Sequence, residues 1–86
     1  MPIISLFYGI KITMYYKDHA PPHFHASYAG NTAMIDILDN VVLKSALPKR
    51  QLKLVLAWAE LHKDELMQNW ELAQSTGELI EIQPLN

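Results

Sequence analysis

The chain has 86 residues, with Lys+Arg 7 against Asp+Glu 9 and a formal net charge of −2 at pH 7. This length supports a single domain spanning residues 1–86 with one small core, which excludes a large multi-substrate enzyme. The chain has no cysteine, so disulfides, iron–sulfur clusters and thiolate zinc sites are excluded as well. At 50% hydrophobic and 19% charged residues it is too apolar for disorder, and this composition favours self-association.

The distribution of charge and apolar residues predicts a soluble cytoplasmic protein with two electrostatically different halves. No stretch reaches the roughly 18 apolar residues of a membrane span, and residues 1–7 lack the basic segment and cleavage site of a secretion signal. Residues 1–53 carry six basic and three acidic groups, whereas residues 54–86 carry one basic and six acidic groups. The two halves can therefore present potentials of opposite sign.

The first half of the chain predicts a meander of short antiparallel strands. Period-two patterns rich in β-branched and aromatic residues mark strands at residues 3–7, 10–16, 23–28, 33–38 and 41–44. Gly9, Gly30-Asn31 and Asp39-Asn40 are turn residues between them, and Pro21-Pro22 requires a connection. Residues 78–83 alternate polar and apolar side chains and predict a final edge strand.

The second half predicts one long C-terminal helix, with a kink at residues 62–64. Pro48 suits the first helical position and Gly77 the position after the end. An apolar stripe at helical spacing predicts the face that packs on the sheet: Leu52, Val55, Leu56, Ala59, Leu66, Met67, Trp70 and Ala73. The predicted fold class is therefore α+β, an antiparallel sheet of four to five short strands packed against one long or kinked C-terminal helix.

A second apolar side of this helix predicts a homodimer. Large side chains lie roughly opposite the stripe, namely Leu54, Trp58, Leu61 and Leu72. Each of them left in water would forgo about 1.5–3 kcal/mol, which favours covering that side with a second copy of the chain. Trp58 and Trp70 are interpreted as packing or interface residues because tryptophan buries a large area.

Three of the four histidines lie within eight residues, Asp18 to His25. In an extended strand His23 and His25 project from one face while Phe24 points into the core. Both imidazoles are predicted to face solvent, so that replacing them leaves stability nearly unchanged. We take His19, His23 and His25 as candidate catalytic residues.

Three interpretations of these histidines remain open. Because histidine titrates nearest neutral pH, the pair can act as acid and base on a phosphodiester. A His-x-His pair with His19 or Asp18 as a third ligand is also typical of a divalent metal site. Alternatively, His23 and His25 are structural and bond loop carbonyls to hold the Pro-Pro turn. The fourth histidine, His62, is interpreted as a helix residue.

One basic cluster is a candidate nucleic-acid or partner-binding surface, formed by Lys44, Lys49, Arg50 and Lys53. Basic residues at the start of a helix oppose its macrodipole, at a cost of a few tenths of a kcal/mol. A phosphate backbone or an acidic partner would offset this cost, and binding should then weaken with salt. A solvated basic face is the alternative.

Several short motifs of the chain, taken in order, resemble those of one bacterial family, known as domain of unknown function four-one-six-zero. The motifs are Phe7-Tyr8-Gly9-Ile10, Met14-Tyr15, Asp18-His19-Ala20-Pro21-Pro22-His23-Phe24-His25, Tyr28-Ala29-Gly30, Leu47-Pro48, Trp58-Ala59-Glu60-Leu61-His62 and Asn69-Trp70. The resemblance covers residues 2–85. It implies a small cytoplasmic protein encoded beside a second short protein, as in a toxin–antitoxin module, with this chain as the toxin. The family commonly has an acidic residue where this chain has Ser27, a departure that weakens the metal interpretation.

The leading functional hypothesis is thus a toxin of a type II toxin–antitoxin module that acts on a nucleic-acid process through the histidine surface. Its partner would be the cognate antitoxin encoded by the neighbouring gene. The alternatives are a non-catalytic module that binds a partner protein or DNA, and a small histidine-based metal-binding protein. Whether the protein is an enzyme stays open at this level.

Overall fold

A computed structural model of the protein describes residues 3–75 and 77–86. Five strands precede two helices, in the order β1 (Ile3–Phe7), β2 (Ile10–Thr13), β3 (His23–Tyr28), β4 (Asn31–Asp36), β5 (Val41–Ser45), α1 (Lys49–Leu61) and α2 (Lys63–Gln74). The strands form a single antiparallel sheet with the spatial order β1-β2-β3-β4-β5. The predicted α+β class and the meander of short strands are confirmed.

Two hairpins of this meander turn on two-residue loops. Phe7 pairs with Ile10 across Tyr8-Gly9, where φ is 49° and 76°. The β3–β4 turn is Ala29-Gly30, with φ of 49° and 85°, rather than the predicted Gly30-Asn31. Positive φ at both loop residues matches the twist of the flanking strands, and glycine adopts it without steric cost. The Ala29-Gly30 turn begins β4 at Asn31, two residues earlier than predicted.

The two faces of the sheet differ sharply in character. Alternate residues of β2, β3 and β4 point to the helices and are fully buried, including Ile12, Phe24 and Ile35. Strand pairing places Lys11, Ser27 and Thr32 together on the opposite face, followed by a second row of Thr13, His25, Met34 and Lys44. The core therefore lies on one side of the sheet, and the polar row that includes His25 lies on the other.

The C-terminal helical region consists of two helices, so the prediction of one long or kinked helix is corrected. The helices are separated at His62, whose φ of −122° departs from helical geometry. The sequence favours the start of a new helix here because Asp64 and Glu65 lie in the first turn of α2, where the macrodipole stabilises acidic groups. Along the described residues, neither helix combines the length and apolar composition needed to cross a membrane.

Trp58 belongs to the core and not to an outer dimer surface, which corrects the basis of the predicted helix-side dimer. Its side chain is 0% exposed. The indole ring lies 5.3 Å from the ring of Phe7 and 5.8 Å from that of Phe24, both on the sheet. The indole is large enough to reach the sheet from the flank of the helical stripe. Leu61, by contrast, is 71% exposed. Trp58 and Leu61, which are predicted to lie on the same outer side of the helix, therefore do not share one surface.

Residues 77–86 follow α2 as an extended segment that is not assigned as a strand, contrary to the predicted edge strand at residues 78–83. One backbone hydrogen bond, from Ile82 N–H to the Ile4 carbonyl, joins the segment to β1. Side chains hold it instead. Trp58 Nε1 donates to the Gln83 carbonyl at 2.8 Å, and Ser5 Oγ donates to the Ile82 carbonyl at 3.0 Å.

Asn69 makes the most complete contact with this segment. Its Nδ2 donates to the Ile80 carbonyl and its Oδ1 accepts from the Ile80 N–H, each at 2.8 Å. The side chain is 0% exposed and so substitutes for a neighbouring strand at that residue. The Asn69-Trp70 motif is thus explained by packing and hydrogen bonding.

We expect Asn69→Ala to destabilise the protein by about 1–3 kcal/mol, because it removes both hydrogen bonds that this fully buried side chain makes to the Ile80 backbone. Urea unfolding followed by circular dichroism measures this change. Gln68→Ala, an exposed position on the same helix, is the matched control and should stay within about 0.5 kcal/mol of the wild type. Equal stability of the two variants would contradict the bridging role of Asn69.

Candidate functional site

The site begins with a loop that leaves the sheet earlier than predicted. Strand β2 ends at Thr13, and residues 14–22 cross to the end of α2 before β3 begins. Lys17 N–H donates to the Ala73 carbonyl at 3.1 Å, and Gln74 Nε2 donates to the Asp18 carbonyl at 3.3 Å. These bonds fix the loop on α2 and hold Asp18 beside the first residues of β3.

Strand β3 presents two imidazoles on one face, as predicted. Phe24 is 0% exposed on the core side, while the rings of His23 and His25 lie on the other face with centroids 5.2 Å apart. Aromatic rings flank the pair: Trp70 lies 5.3 Å from His23, and Tyr15 lies 4.5 Å from His25 in an edge-to-face contact. Packing therefore restricts the orientation of both imidazoles.

The carboxylate of Asp18 joins the two histidines into what we call the Asp18 cluster (Asp18, His23 and His25). Asp18 Oδ2 lies 2.9 Å from His23 Nε2 and 3.5 Å from His25 Nε2. Asp18 Oδ1 accepts the backbone N–H of His19 at 2.8 Å, which orients the carboxylate. The three ligand-type atoms lie within 4.8 Å of one another.

His23 has an unusual hydrogen-bonding environment, because both of its ring nitrogens face oxygen acceptors. Nδ1 lies 2.8 Å from the Pro21 carbonyl, which can only accept, so Nδ1 must carry a proton. Nε2 then points at the Asp18 carboxylate, which also only accepts. A neutral ring would direct a lone pair at this negative oxygen. A cation between Nε2 and Asp18 would make this arrangement favourable.

The two histidines differ in exposure, which corrects the prediction that both face solvent. The side chain of His23 is 4% exposed, whereas those of His25 and Asp18 are 21% and 23% exposed. His23 is buried because it starts β3 beneath the loop and contacts Trp70. His25, two residues further along the strand, is the imidazole that a ligand can reach.

Burial and hydrogen bonding shift the pKa values of Asp18 and His25, the two partly exposed residues of the cluster. Burial raises the pKa of the Asp18 carboxyl, but hydrogen bonds from the His19 N–H, His25 and His23 outweigh it and leave the pKa below 3.8. Burial lowers the pKa of His25 below 6.5, and the charge of His23 adds to this effect, while the hydrogen bond to Asp18 opposes it. At neutral pH, Asp18 is therefore ionised and His25 is neutral.

The lowered pKa of His25 predicts a pH dependence of stability. A histidine whose pKa is lower when folded binds a proton more readily when unfolded, so stability is complete above 6.5 and falls as pH drops towards the folded value. The carboxyl of Asp18 adds a loss only below 3.8, since its pKa is lowered as well. Melting temperatures between about pH 5 and 7.5 should rise with pH, and His25→Gln should flatten the rise. An unchanged slope in His25→Gln would contradict this assignment.

The other two histidines lie outside the cluster. His19, a predicted catalytic residue, is exposed and contributes its backbone N–H to Asp18. His62 contacts residues of the helices: its Nδ1 lies 2.6 Å from Glu65 Oε1, and its ring centroid lies 5.4 Å from that of Trp58. Of the two residues predicted as a third ligand, His19 and Asp18, it is Asp18 that completes the cluster.

The predicted basic cluster is exposed throughout, with Lys44 on β5 and Lys49, Arg50 and Lys53 in the first turns of α1. Within residues 3–75 and 77–86, none of these four side chains forms an ion pair. They remain candidates for binding an anionic partner. Ser27, the departure from the family pattern, pairs with Lys11 and Thr32 across the sheet, and Asp18 supplies a carboxylate to the histidines instead.

Comparison with known families gives one match. The model of a family described as Domain of unknown function (DUF4160) matches residues 9–71, nearly three quarters of the chain. The chain belongs to the DUF4160 family. No curated protein and no solved structure matches this chain. The matched DUF4160 region contains the whole Asp18 cluster together with Trp58 and Asn69, two side chains that bind residues 77–86.

Proposed function

We propose that this DUF4160 protein is the cytoplasmic toxin of a bacterial type II toxin–antitoxin module and acts on a nucleic-acid process through the Asp18 cluster. The observation that carries the site is the convergence of two imidazoles and one carboxylate beside a partly exposed His25. The cognate antitoxin of the neighbouring gene would keep the toxin inactive. The motif resemblance supports this pairing, and the cluster geometry supports the choice of site.

Each residue of the cluster has a distinct role in this proposal. Burial lowers the pKa of His25 and the ring is partly exposed, so it suits a general base that takes a proton from a hydroxyl. As the hydroxyl oxygen bonds to the phosphorus of a phosphodiester, the P–O bond to the leaving group breaks and the leaving oxygen takes a proton from water. Asp18 orients His25 through Nε2 and stabilises the positive charge that the ring gains. His23 is buried and bonded to Pro21 and Asp18, so it acts as a positioning residue.

Induced expression in bacteria, with and without the neighbouring gene, tests the toxin assignment. Expression of this chain alone should arrest growth, and coexpression of the neighbour should restore it. His62→Ala should remain toxic, since His62 lies outside the cluster. Normal growth with stable coexpression of both proteins would overturn the toxin and favour a non-catalytic module that binds a partner protein or DNA.

A second candidate function, binding of a divalent metal, is favoured by the environment of His23. The Pro21 carbonyl holds the proton on Nδ1 and leaves Nε2 as the available lone pair. Histidine ligands commonly donate their other nitrogen to a backbone carbonyl in this way. Bonds of about 2.1 Å at tetrahedral angles place neighbouring ligand atoms about 3.4 Å apart. The observed 2.9 and 3.5 Å are close to that value.

Asp18, His23 and His25 would thus hold the metal and leave a position for water, as catalytic zinc sites do. A metal bound there would lower the pKa of its water and supply a hydroxide nucleophile. The donor set of two imidazoles and one carboxylate fits zinc and similar transition metals.

Thermal melting with added Zn²⁺ and metal analysis of the purified protein separate the two functions. Metal binding should raise the melting temperature of the wild type and of His62→Ala, and the rise should disappear in Asp18→Asn and His25→Ala. An equal rise in Asp18→Asn would show that zinc binds elsewhere. No rise in the wild type would overturn metal binding at the cluster.

A further inference from the structure

Strand β5 is an edge strand whose five residues are all exposed. Val41, Val42 and Leu43 follow one another and are 48%, 40% and 44% exposed. Val42 pairs with Ile35, a fully buried residue of the core face, yet remains open itself. The core-side face of β5 is therefore not covered as the core-side faces of β2 and β3 are.

The two edges of the sheet are treated differently by the chain. On the β1 edge, the segment that contains Ile82 bonds to Ile4 and Ser5. On the β5 edge, the described part of the chain places no segment. An exposed edge offers unpaired N–H and C=O groups to another strand, and solitary edges are usually protected by charge or by covering segments.

Charge is arranged in opposite senses at the two ends of β5. Before the strand begins, Asp39 is exposed and Asn40 Nδ2 donates to Glu60 Oε1 at 3.2 Å, which places an acidic residue of α1 at this end. After the strand ends, the chain carries Lys49 at the start of α1, whereas Arg50 lines a cavity with Tyr8 of the β1–β2 turn. The edge therefore runs from an acidic end to a basic end.

We propose that β5 pairs antiparallel with β5 of a second copy of this chain, about a two-fold axis at Leu43, to form one continuous sheet. The two-fold pairing brings Leu43 opposite Leu43 of the second copy and covers the apolar run Val41 to Leu43. It also sets the acidic end of each copy beside the basic end of the other. This interface replaces the helix side predicted from the sequence, and it does not rest on the proposed function.

The same pairing accounts for the basic start of α1. Helix α1 has no acidic residue in its first turn, where Lys49 and Arg50 oppose the macrodipole. The acidic end of a second copy, including its Glu60, would lie near Lys49 and offset part of this repulsion. The lone Lys44 and the irregular register between Met34 and Ile35 also occur in edge strands that stay single. An edge strand that stays single does not usually expose three successive apolar residues, as β5 does with Val41, Val42 and Leu43.

Light scattering coupled to size exclusion tests the proposal. The wild type should have twice the chain mass of 9.8 kDa, and Leu43→Lys should weaken dimerisation at least about tenfold because it opposes two like charges. Leu6→Lys is the matched control, an exposed apolar residue on the β1 edge, and should remain dimeric. Circular dichroism confirms that both variants are folded.

A charge exchange gives an independent readout that does not alter β5. Lys49→Glu should weaken the dimer, and the double variant with Glu60→Lys should restore it. Hydrogen exchange at β5 amides should be slower in the dimer than in Leu43→Lys. A wild type that stays monomeric up to about 1 mM would overturn the proposal. So would a dimer that survives Leu43→Lys but is lost in Leu61→Lys, because the helix side would then be the interface.

Discussion

The variant His25→Ala should abolish growth arrest while leaving the melting temperature close to that of the wild type. His25 is 21% exposed, and its contact with Asp18 is long at 3.5 Å, so its removal should cost no more than about 1 kcal/mol of stability. Its proposed work is proton transfer at the exposed side of the cluster, and alanine cannot perform it. Growth curves after induction and thermal melting of the purified variant measure the two effects.

His23→Ala should instead lose activity and stability together. The substitution removes contacts of 2.8 Å to Pro21 and 2.9 Å to Asp18 from a buried position, which we expect to cost about 1–3 kcal/mol. His19→Ala is the control within the same loop, since its side chain is exposed and its backbone N–H would still bond Asp18. If His25→Ala stays toxic, or loses stability in step with His23→Ala, the cluster is a clamp for the Pro-Pro turn and not a working site.

Phe24→Ala should produce the largest loss of stability, about 3–5 kcal/mol, which is a large part of what a chain of this size possesses. Phe24 is 0% exposed and its ring contacts that of Trp58, the residue that connects the sheet, α1 and the segment around Gln83. Chemical denaturation should show a lower midpoint, and the variant is expected to be largely unfolded at 37 °C.

The control for Phe24→Ala is Leu61→Ala. Leu61 is the most exposed large apolar residue of the helices at 71%, so its truncation should change the free energy of unfolding by no more than about 0.5 kcal/mol. A loss in Leu61→Ala that matched Phe24→Ala would mean that Leu61 is covered in solution, which would contradict both the assigned core and the β5 interface.

The strands could be predicted from sequence because each has a periodic pattern bounded by turn residues. The bounds of β1 and β3 agree with the prediction, and β5 is longer by one residue. Strand β2 was overestimated because Tyr15 and Tyr16 have strand propensity, whereas the chain leaves the sheet at Thr13 to reach α2. Local propensity carries no information on that tertiary contact.

The histidine pair could be predicted as well, but the composition of the cluster could not. Alternation along β3 correctly placed His23 and His25 together. The choice of Asp18 over His19 depends on the path of a loop that is anchored by Ala73 and Gln74, which lie more than fifty residues away in sequence. The burial of His23 depends on the same path. Sequence spacing cannot supply these distances.

The roles of Trp58 and Asn69 were hidden for a related reason. A helical projection treats every side as either core or solvent, and it placed Trp58 on the outer side. The structure covers that region with residues 77–86, whose backbone is held by side-chain hydrogen bonds from Trp58, Asn69 and Ser5. When a helix residue hydrogen-bonds through its side chain to the backbone of another segment, this contact produces no periodic pattern in the sequence.

The Asp18 cluster is compact along the chain as well as in space. Its three side chains and the Pro21 carbonyl come from residues 18–25, so closing this loop costs little chain entropy compared with joining distant elements. The pairing of β3 with β2 and β4, the ring contacts with Trp70 and Tyr15 and the two bonds to the end of α2 connect it to the remainder of the fold. Its polar groups nevertheless all come from one short stretch of the chain. Residues 18–25 are therefore a candidate for transplantation into another antiparallel sheet that offers a neighbouring helix, where the cluster can be studied apart from the proposed toxicity.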